Sequence, residues 1–177
     1  NFILSKNEIY PYDFKNLTIN ELNKSYKLIT NNIHPNFFLV DILKGKKKID
    51  INQIRKMISY TNTTSFNLNK KIVLIDHVEY LNTSSSNSLL KVIEEPNENT
   101  LFILIFNSNK KIKNILKSRC IEFKKSFSYI DRIEIFKKLL SYNSINFPDN
   151  LINKNLNYYE TPGLFIKHIN LMNLLGV

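Results

Sequence analysis

The sequence has little of what several protein classes require. It contains one cysteine, Cys120, so no disulfide can form within the chain, and no Cys or His pair has the spacing of a zinc site. No run approaches the roughly 20 apolar residues of a membrane span. The first ten residues also lack the basic start and apolar stretch of a signal peptide. We therefore expect a cytoplasmic protein with neither a membrane contact nor a bound metal of its own.

Alanine and tryptophan are absent, and only three glycines occur among 177 residues, whereas Lys, Asn and Ile are abundant. Such a bias is expected of an AT-rich gene, so the net charge of +10 is weak evidence for nucleic-acid binding. Only three arginines stand against 22 lysines. A position that keeps Arg is therefore one where the guanidinium group is expected to matter. The three are Arg55, Arg119 and Arg132.

Helix and strand patterns alternate over the first two thirds of the chain. Four apolar runs are typical of buried strands. They are residues 37–42, 71–75, 101–106 and 120–123. Helix starts are predicted from capping residues before and between these runs. They are Thr18 with Glu21, Asp50 with Gln53, and Thr83 or one of Ser84, Ser85 and Ser86, the last helix ending before Pro96.

Strands that are apolar on both faces and separated by helices predict an α/β fold, with a mostly parallel sheet flanked by helices. Ligands of such sheets lie beyond the carboxyl ends of the strands, where Asp76, Asn107 and Ser108 fall. From about residue 127 only helix patterns follow. They cover residues 130–140, 149–156 and 164–175. We predict an α/β domain over residues 1–126 and an incomplete all-α domain over 127–177, both belonging to a longer protein.

Several segments together resemble the clamp-loader branch of the AAA+ ATPases. These are HPNFFLVD (34–41), IDINQIR (49–55), KIVLIDHVEYLN (71–82), SNSLLKVIEEPNENTLFILIFNSN (86–109) and ILKSRC (115–120). The resemblance covers residues 30–125 strongly and the Thr-Pro-Gly step at 161–163 weakly. It implies a partial AAA+ fold, which is P-loop NTPase-like, followed by the start of a helical lid domain.

The resemblance implies a degenerate nucleotide site. Asp76 matches the strand-end aspartate that holds Mg²⁺ on ATP, but His77 replaces the glutamate that polarises the attacking water. Asn107 or Ser108 matches the polar sensor, and Leu164 replaces the lid arginine. The G-x-x-x-x-G-K-[ST] phosphate loop and the family's cysteine-rich zinc module are not among these residues. We expect no cofactor in this chain, with ATP and Mg²⁺ bound by neighbouring subunits.

The motif Ser118, Arg119 and Cys120 carries the resemblance furthest. In this family its arginine acts in trans, as a finger that stabilises charge at a neighbouring subunit's ATP site. The alternative is that Arg119 only forms a surface ion pair with Glu122.

The resemblance also implies a role in DNA replication, within the clamp loader of bacterial DNA polymerase III, for a chain that is itself not catalytic. Expected partners are the gamma or tau and delta subunits, the sliding clamp, and primed DNA reached through the assembly. The amino end of the helix at Thr83, Ser84, Ser85 and Asn87 is a candidate phosphate contact. Two alternatives stay open, an active ATPase of the gamma or tau type and a stand-alone basic nucleic-acid-binding domain.

Overall fold

The computed structural model describes residues 2–16, 18–66, 70–107, 109–146 and 161–175. The chain divides into two compact units, Asn1–Glu122 and Phe123–Val177, and each has its own hydrophobic core. Within the described ranges, no helix combines the length and apolar character that a membrane span requires.

The first unit is built on a parallel three-stranded sheet. Its strands are β1 (Phe37–Val40), β2 (Lys71–Ile75) and β3 (Thr100–Leu104), hydrogen-bonded in the order β1-β2-β3. Leu39 is level with Leu74 across β1 and β2, and Leu74 is level with Ile103 across β2 and β3. This parallel α/β arrangement confirms the fold class predicted from the apolar runs.

Helices connect and flank the strands. In the first unit they are α1 (Phe2–Ser5), α2 (Lys24–Thr30), α3 (Ile51–Thr61), α4 (Thr83–Glu94) and α5 (Asn114–Lys117), with a 3₁₀ turn at Val78–Tyr80. α3 begins at the predicted capping box, in which the Asp50 carboxylate accepts from the Gln53 N–H and the Gln53 side chain accepts from the Asp50 N–H. α4 ends before Pro96, as predicted.

One face of the sheet packs on α3 and α4. Val40, Val73 and Ile75 point to this face, and each is at most 1% exposed. They pack with Ile54 from α3 and Leu89 from α4 in one core cluster. Burying side chains of this size is worth about 1.5–3 kcal/mol each. This core fixes the carboxyl ends of the strands relative to α4.

Two predicted helix starts are wrong in position. The helix expected from Thr18 begins at Lys24, with the Asn23 side chain accepting from the Tyr26 N–H at 2.7 Å. Thr18 instead pairs its backbone with Asp13 in an antiparallel bridge, so it cannot start a helix. The start of α4 moves by one residue, because Asn82 is the N-cap.

The predicted strand at residues 120–123 is also wrong. A strand requires a neighbour for its backbone hydrogen bonds, and no described residue forms a ladder with this segment. Ile121 and Phe123 are 85% and 88% exposed. β3 is therefore the edge strand of the described sheet.

The second unit contains α6 (Tyr129–Tyr142) and α7 (Pro162–Leu175). Phe136 is fully buried, and its ring stacks on Phe165 with the ring centroids 5.0 Å apart. The predicted helix at 149–156 lies outside the described residues. The assignment of this unit to a lid domain stays a prediction.

Candidate functional site

The carboxyl ends of β1 and β2 bring two aspartates together. Val40 and Ile75 are register partners, so the residues that follow them, Asp41 and Asp76, lie side by side at one edge of the sheet. The Asp76 N–H donates to the Val40 carbonyl at 2.9 Å, which continues the ladder by one bond.

His77 completes this edge. Its Nδ1 lies 2.9 Å from Asp41 Oδ1 and 3.6 Å from Asp76 Oδ1. The His77 backbone is left-handed, with φ 56° and ψ 45°, an uncommon conformation for a residue other than glycine. The turn is fixed on both sides, because the His77 N–H donates to Asp76 Oδ1 at 2.8 Å and the Val78 N–H donates to the Ile105 carbonyl at 3.1 Å.

A cleft of about 320 Å³ opens beside these residues. Its lining includes Asp76 and His77 together with Asn107, which follows β3. Asn107 Oδ1 accepts the Asn109 N–H at 2.9 Å, so the amide closes its own turn. Lys110 donates to the Tyr80 hydroxyl, and its ammonium lies 3.9 Å from the centroid of that ring. Ser108 lies outside the described residues.

The donor set at this edge fits Mg²⁺ poorly. Mg²⁺ takes six oxygen ligands in octahedral geometry and usually bridges a carboxylate to substrate phosphates. Here an imidazole nitrogen lies within 4 Å of both carboxylates, so the donor set mixes nitrogen with oxygen. These residues therefore do not form the all-oxygen ligand set that a magnesium-bound nucleotide would need.

Arg119 lies just beyond the carboxyl end of α5. Its Nη2 is 2.6 Å from Glu94 Oε1, and its Nη1 donates to the Ile115 carbonyl at 3.2 Å. About one third of the Arg119 side chain is exposed. The alternative partner Glu122 lies instead 3.9 Å from Lys117 Nζ. The pair observed is therefore with Glu94, the first acid of the Glu-Glu-Pro step that ends α4.

The two neighbours of Arg119 lie in the same turn. The Ser118 hydroxyl donates to the Ile115 carbonyl at 3.0 Å, and the Cys120 N–H donates to the Lys117 carbonyl at 3.2 Å. Partial burial raises the pKa of the Cys120 thiol. Ser118 and Cys120 therefore shape the turn that presents Arg119.

The amino end of α4 is partly available to solvent. Thr83, Ser84 and Asn87 are exposed, whereas Ser85 is fully buried. The Ser85 N–H donates to Asn82 Oδ1 at 2.8 Å and its hydroxyl donates to the Ile49 carbonyl. Ser85 therefore has both of its donors occupied, and the exposed phosphate candidates are the other three.

Sequence reasoning missed two residues at these sites. Asp41 contacts His77 across 36 positions of the chain, and Glu94 holds Arg119. The predicted strand at 37–42 enclosed Asp41, whereas β1 ends at Val40, so Asp41 follows a strand as Asp76 does. The signal for Glu94 was weaker, since the helix end at Pro96 does not show which side chain faces α5.

Comparisons with known proteins find similarity to subunits of DNA polymerase III. A sequence profile described as "DNA polymerase III, delta subunit" matches residues 15–127. The chain is 30% identical over 153 residues to the DNA polymerase III subunit delta' of Buchnera aphidicola subsp. Baizongia pistaciae, covering 75% of this chain and 46% of that protein. It is 29% identical over 99 residues to the delta' subunit of Pseudomonas aeruginosa, covering 56% and 30%.

The gamma subunit of Buchnera aphidicola subsp. Schizaphis graminum is 34% identical over 114 residues, covering 64% of this chain and 31% of that protein. Among solved structures, a DNA polymerase III gamma subunit-related protein from Thermotoga maritima aligns with a TM-score of 0.51 and 18% identity. That alignment covers 68% of this chain and 44% of the other. The chain thus spans less than half the length of these relatives.

The parallel sheet and its flanking helices define a partial AAA+ fold. Because the profile matches well over half of the sequence, the chain belongs to the family described as DNA polymerase III, delta subunit. Its curated relatives include several delta' subunits, in agreement with the resemblance seen in the sequence.

Proposed function

We propose that this chain is part of a delta'-type clamp-loader subunit that presents Arg119 to the ATP site of a neighbouring subunit. The observation that carries the proposal is the position of Arg119. Its guanidinium lies at the surface, at the end of a short helix, and is oriented by Glu94 and by a backbone carbonyl. A guanidinium fork placed in this way can reach the oxygens of a transferring phosphoryl group.

The ion pair with Glu94 is weak enough to exchange partners. The side chains of Arg119 and Glu94 are 34% and 42% exposed. Exposed ion pairs contribute about 0–1 kcal/mol to stability. Negative charge on a phosphoryl group in a drier interface attracts the guanidinium more strongly. Glu94 thus holds the side chain ready without binding it tightly.

We further propose that the chain does not hydrolyse ATP itself. The residues at the carboxyl end of β2 support this. His77 stands where the family has its glutamate, and its ring nitrogen is engaged by Asp41. The family's water-orienting carboxylate is thus replaced by an imidazole. ATP and Mg²⁺ are then bound by the partner subunits, of the gamma or tau type.

Within the assembly, the subunit would act with the gamma or tau and delta subunits to load the sliding clamp onto primed DNA. Thr83, Ser84 and Asn87, at the amino end of α4, are the candidate phosphate contacts, because helix N-termini offer N–H groups and a favourable dipole. Lys113 donates to Asn87 Oδ1 at 3.2 Å and adds positive charge to this surface.

A second candidate is an active ATPase of the gamma or tau type, because the identity with a gamma subunit, 34%, is as high as with the delta' subunits. ATP turnover by the purified full-length protein, with no other subunit present, separates the two. We expect no turnover above a blank. Repeated hydrolysis that is abolished by Asp76→Ala would contradict our proposal and establish the second candidate.

A further inference from the structure

We propose that Asp41, Asp76 and His77 form a binding site for a late first-row divalent cation such as Zn²⁺. Within the described ranges, these three residues offer ligand atoms that all lie within 4.8 Å of one another. The group is more than a pair of acids, because an imidazole nitrogen lies between the two carboxylates.

The distances from the His77 nitrogen to the two carboxylates suit a small tetrahedral ion. Ligands that lie about 2.0–2.2 Å from Zn²⁺ in a tetrahedral site are roughly 3.3 Å from each other. The distances from His77 Nδ1 are 2.9 Å to Asp41 Oδ1 and 3.6 Å to Asp76 Oδ1, one on each side of that value. Shifts of a few tenths of an ångström would bring both to it.

Backbone groups orient the ligands before any ion arrives. The Ile42 N–H donates to Asp41 Oδ1 at 2.6 Å, and the His77 N–H donates to Asp76 Oδ1 at 2.8 Å. Hydrogen bonds of this kind fix the direction of metal-binding carboxylates. The left-handed turn at His77 brings its ring back over the strand ends.

The donor types select the class of ion. Imidazole nitrogen with carboxylate oxygen suits Zn²⁺ and its neighbours in the first transition row, whereas Mg²⁺ prefers oxygen alone. The three side chains are 36–46% exposed, so an ion can enter from solvent without an opening motion. The nearby cation, Lys110, is directed at the Tyr80 ring and hydroxyl, and two carboxylates remain to attract the metal.

This inference rests on geometry at the strand ends and not on the proposed role of Arg119. The two can therefore fail separately. If the protein binds Zn²⁺ and Arg119→Ala leaves ATP hydrolysis by the assembly unchanged, only the proposed function is refuted. If Arg119→Ala lowers that hydrolysis and the protein binds no metal, only this inference is refuted.

The test uses Co²⁺ as the spectroscopic probe, added to the full-length protein after treatment with a chelator. We expect visible absorption from tetrahedral Co²⁺ that saturates at one ion per chain and is displaced by Zn²⁺. His77→Gln and Asp41→Asn should each weaken Co²⁺ binding by at least about tenfold. The matched control is His168→Gln, since His168 is an exposed histidine on α7, and it should leave binding unchanged.

A second readout follows the histidine ring signals by NMR, with the signal of His77 assigned by its loss in His77→Gln. Substoichiometric Co²⁺ should broaden the signal of His77 and leave those of His34 and His168 sharp. Circular dichroism of each variant checks that the fold is retained. The inference is overturned by absence of saturable Co²⁺ binding, by wild-type affinity in the Asp41→Asn/His77→Gln double variant, or by displacement of Co²⁺ by an equal concentration of Mg²⁺.

Discussion

Arg119 and Glu94 form a short ion pair, 2.6 Å between Nη2 and Oε1, whose contribution to stability is nevertheless small. Exposed pairs gain little because water screens the charges and both side chains lose rotamer freedom. The pair is therefore expected to orient Arg119 more than to stabilise the fold, which is compatible with the proposed function.

We accordingly predict that Glu94→Gln changes the free energy of unfolding by less than about 1 kcal/mol. Urea denaturation followed by circular dichroism measures this. Glu98→Gln, an exposed acid in the turn that follows α4, is the matched control. A loss above about 2 kcal/mol in Glu94→Gln alone would show that the pair holds α4 to α5, which would contradict its proposed role in presenting Arg119.

Glu8 provides a residue-scale prediction on pH. Burial raises the pKa of Glu8, but hydrogen bonds from Ser25 lower it by more, so that the pKa falls below the ordinary value of 4.5. The Ser25 hydroxyl donates to Glu8 at 2.5 Å and the Ser25 backbone N–H donates at 3.1 Å. His34 Nδ1 accepts the Asn36 N–H, so a neutral ring carries its proton on Nε2, which lies 3.2 Å from the Ser25 hydroxyl. This tautomer leaves the Ser25 proton for Glu8.

A depressed carboxyl pKa means that the unfolded chain binds more protons than the folded one in acid. Stability is then fully present above pH 4.5 and is lost as pH falls through the folded-state pKa. We predict that Glu8→Gln flattens the decline of unfolding free energy below pH 4.5, measured by urea denaturation at several pH values. Glu98→Gln should keep the wild-type slope, and an unchanged slope in Glu8→Gln would contradict the assignment.

At the scale of elements, the start of α3 is the clearest case of local sequence deciding structure. The Asp50 carboxylate accepts from the Asn52 and Gln53 N–H groups at 2.7 and 3.2 Å, and the Asp50 N–H donates to Gln53 Oε1 at 3.2 Å. These bonds satisfy donors that the first turn of a helix leaves free.

Asp50→Ala should lower the free energy of unfolding by about 1 kcal/mol, the usual cost of losing a helix N-cap. Thermal or urea unfolding measures the change. Lys56→Ala, at an exposed position of the same helix, is expected to be neutral and is the control. Equal stability of Asp50→Ala and wild type would mean that the cap is replaced by water at no cost.

The other end of α3 is held by β2. Lys71 is 2% exposed, and its ammonium donates to the Tyr60 carbonyl at 2.7 Å, to the Thr63 hydroxyl at 2.7 Å and to the Thr63 carbonyl. A cation at the carboxyl end of a helix is favoured by the helix dipole and by the unpaired carbonyls there. Lys71 therefore ties the sheet to the end of α3.

Lys71→Met keeps the aliphatic stem but removes the donors, leaving these oxygens without their ammonium partner. We predict a loss of about 1–3 kcal/mol in unfolding free energy, which is the cost of leaving buried polar groups unpaired. Lys70→Met, at the exposed neighbouring position, should be near neutral. Similar effects of the two substitutions would show that Lys71 acts only through its stem.

Local sequence decides less where the outcome depends on distant partners. Asn82 through Ser86 are all good capping residues, and only the chain path from the sheet selects Asn82. Residues 120–123 have the composition of a strand, but composition supplies no neighbour. Thr18 and Glu21 match a capping box, yet the bridge to Asp13 takes the Thr18 backbone.

At the scale of the molecule, periodicity and strand order were enough to predict the parallel sheet, and the position of Asp76 and Asn107 at its carboxyl edge. The contact that changes the chemistry of that edge was not predictable. It joins His77 to Asp41 over 36 residues and depends on the left-handed turn of His77, which no local pattern indicates. The functional assignments of Asp76, Asn107 and Arg119 remain predictions.

The central claim is that Arg119 serves another subunit's nucleotide. The most direct measurement is ATP hydrolysis by the assembly reconstituted with the full-length protein carrying Arg119→Ala, with Lys56→Ala, an exposed cation on α3, as control. We predict that hydrolysis at the one site served by Arg119 falls by roughly 10³-fold, while the KM for ATP changes little. An intact assembly that hydrolyses ATP at the wild-type rate with Arg119→Ala would contradict the account.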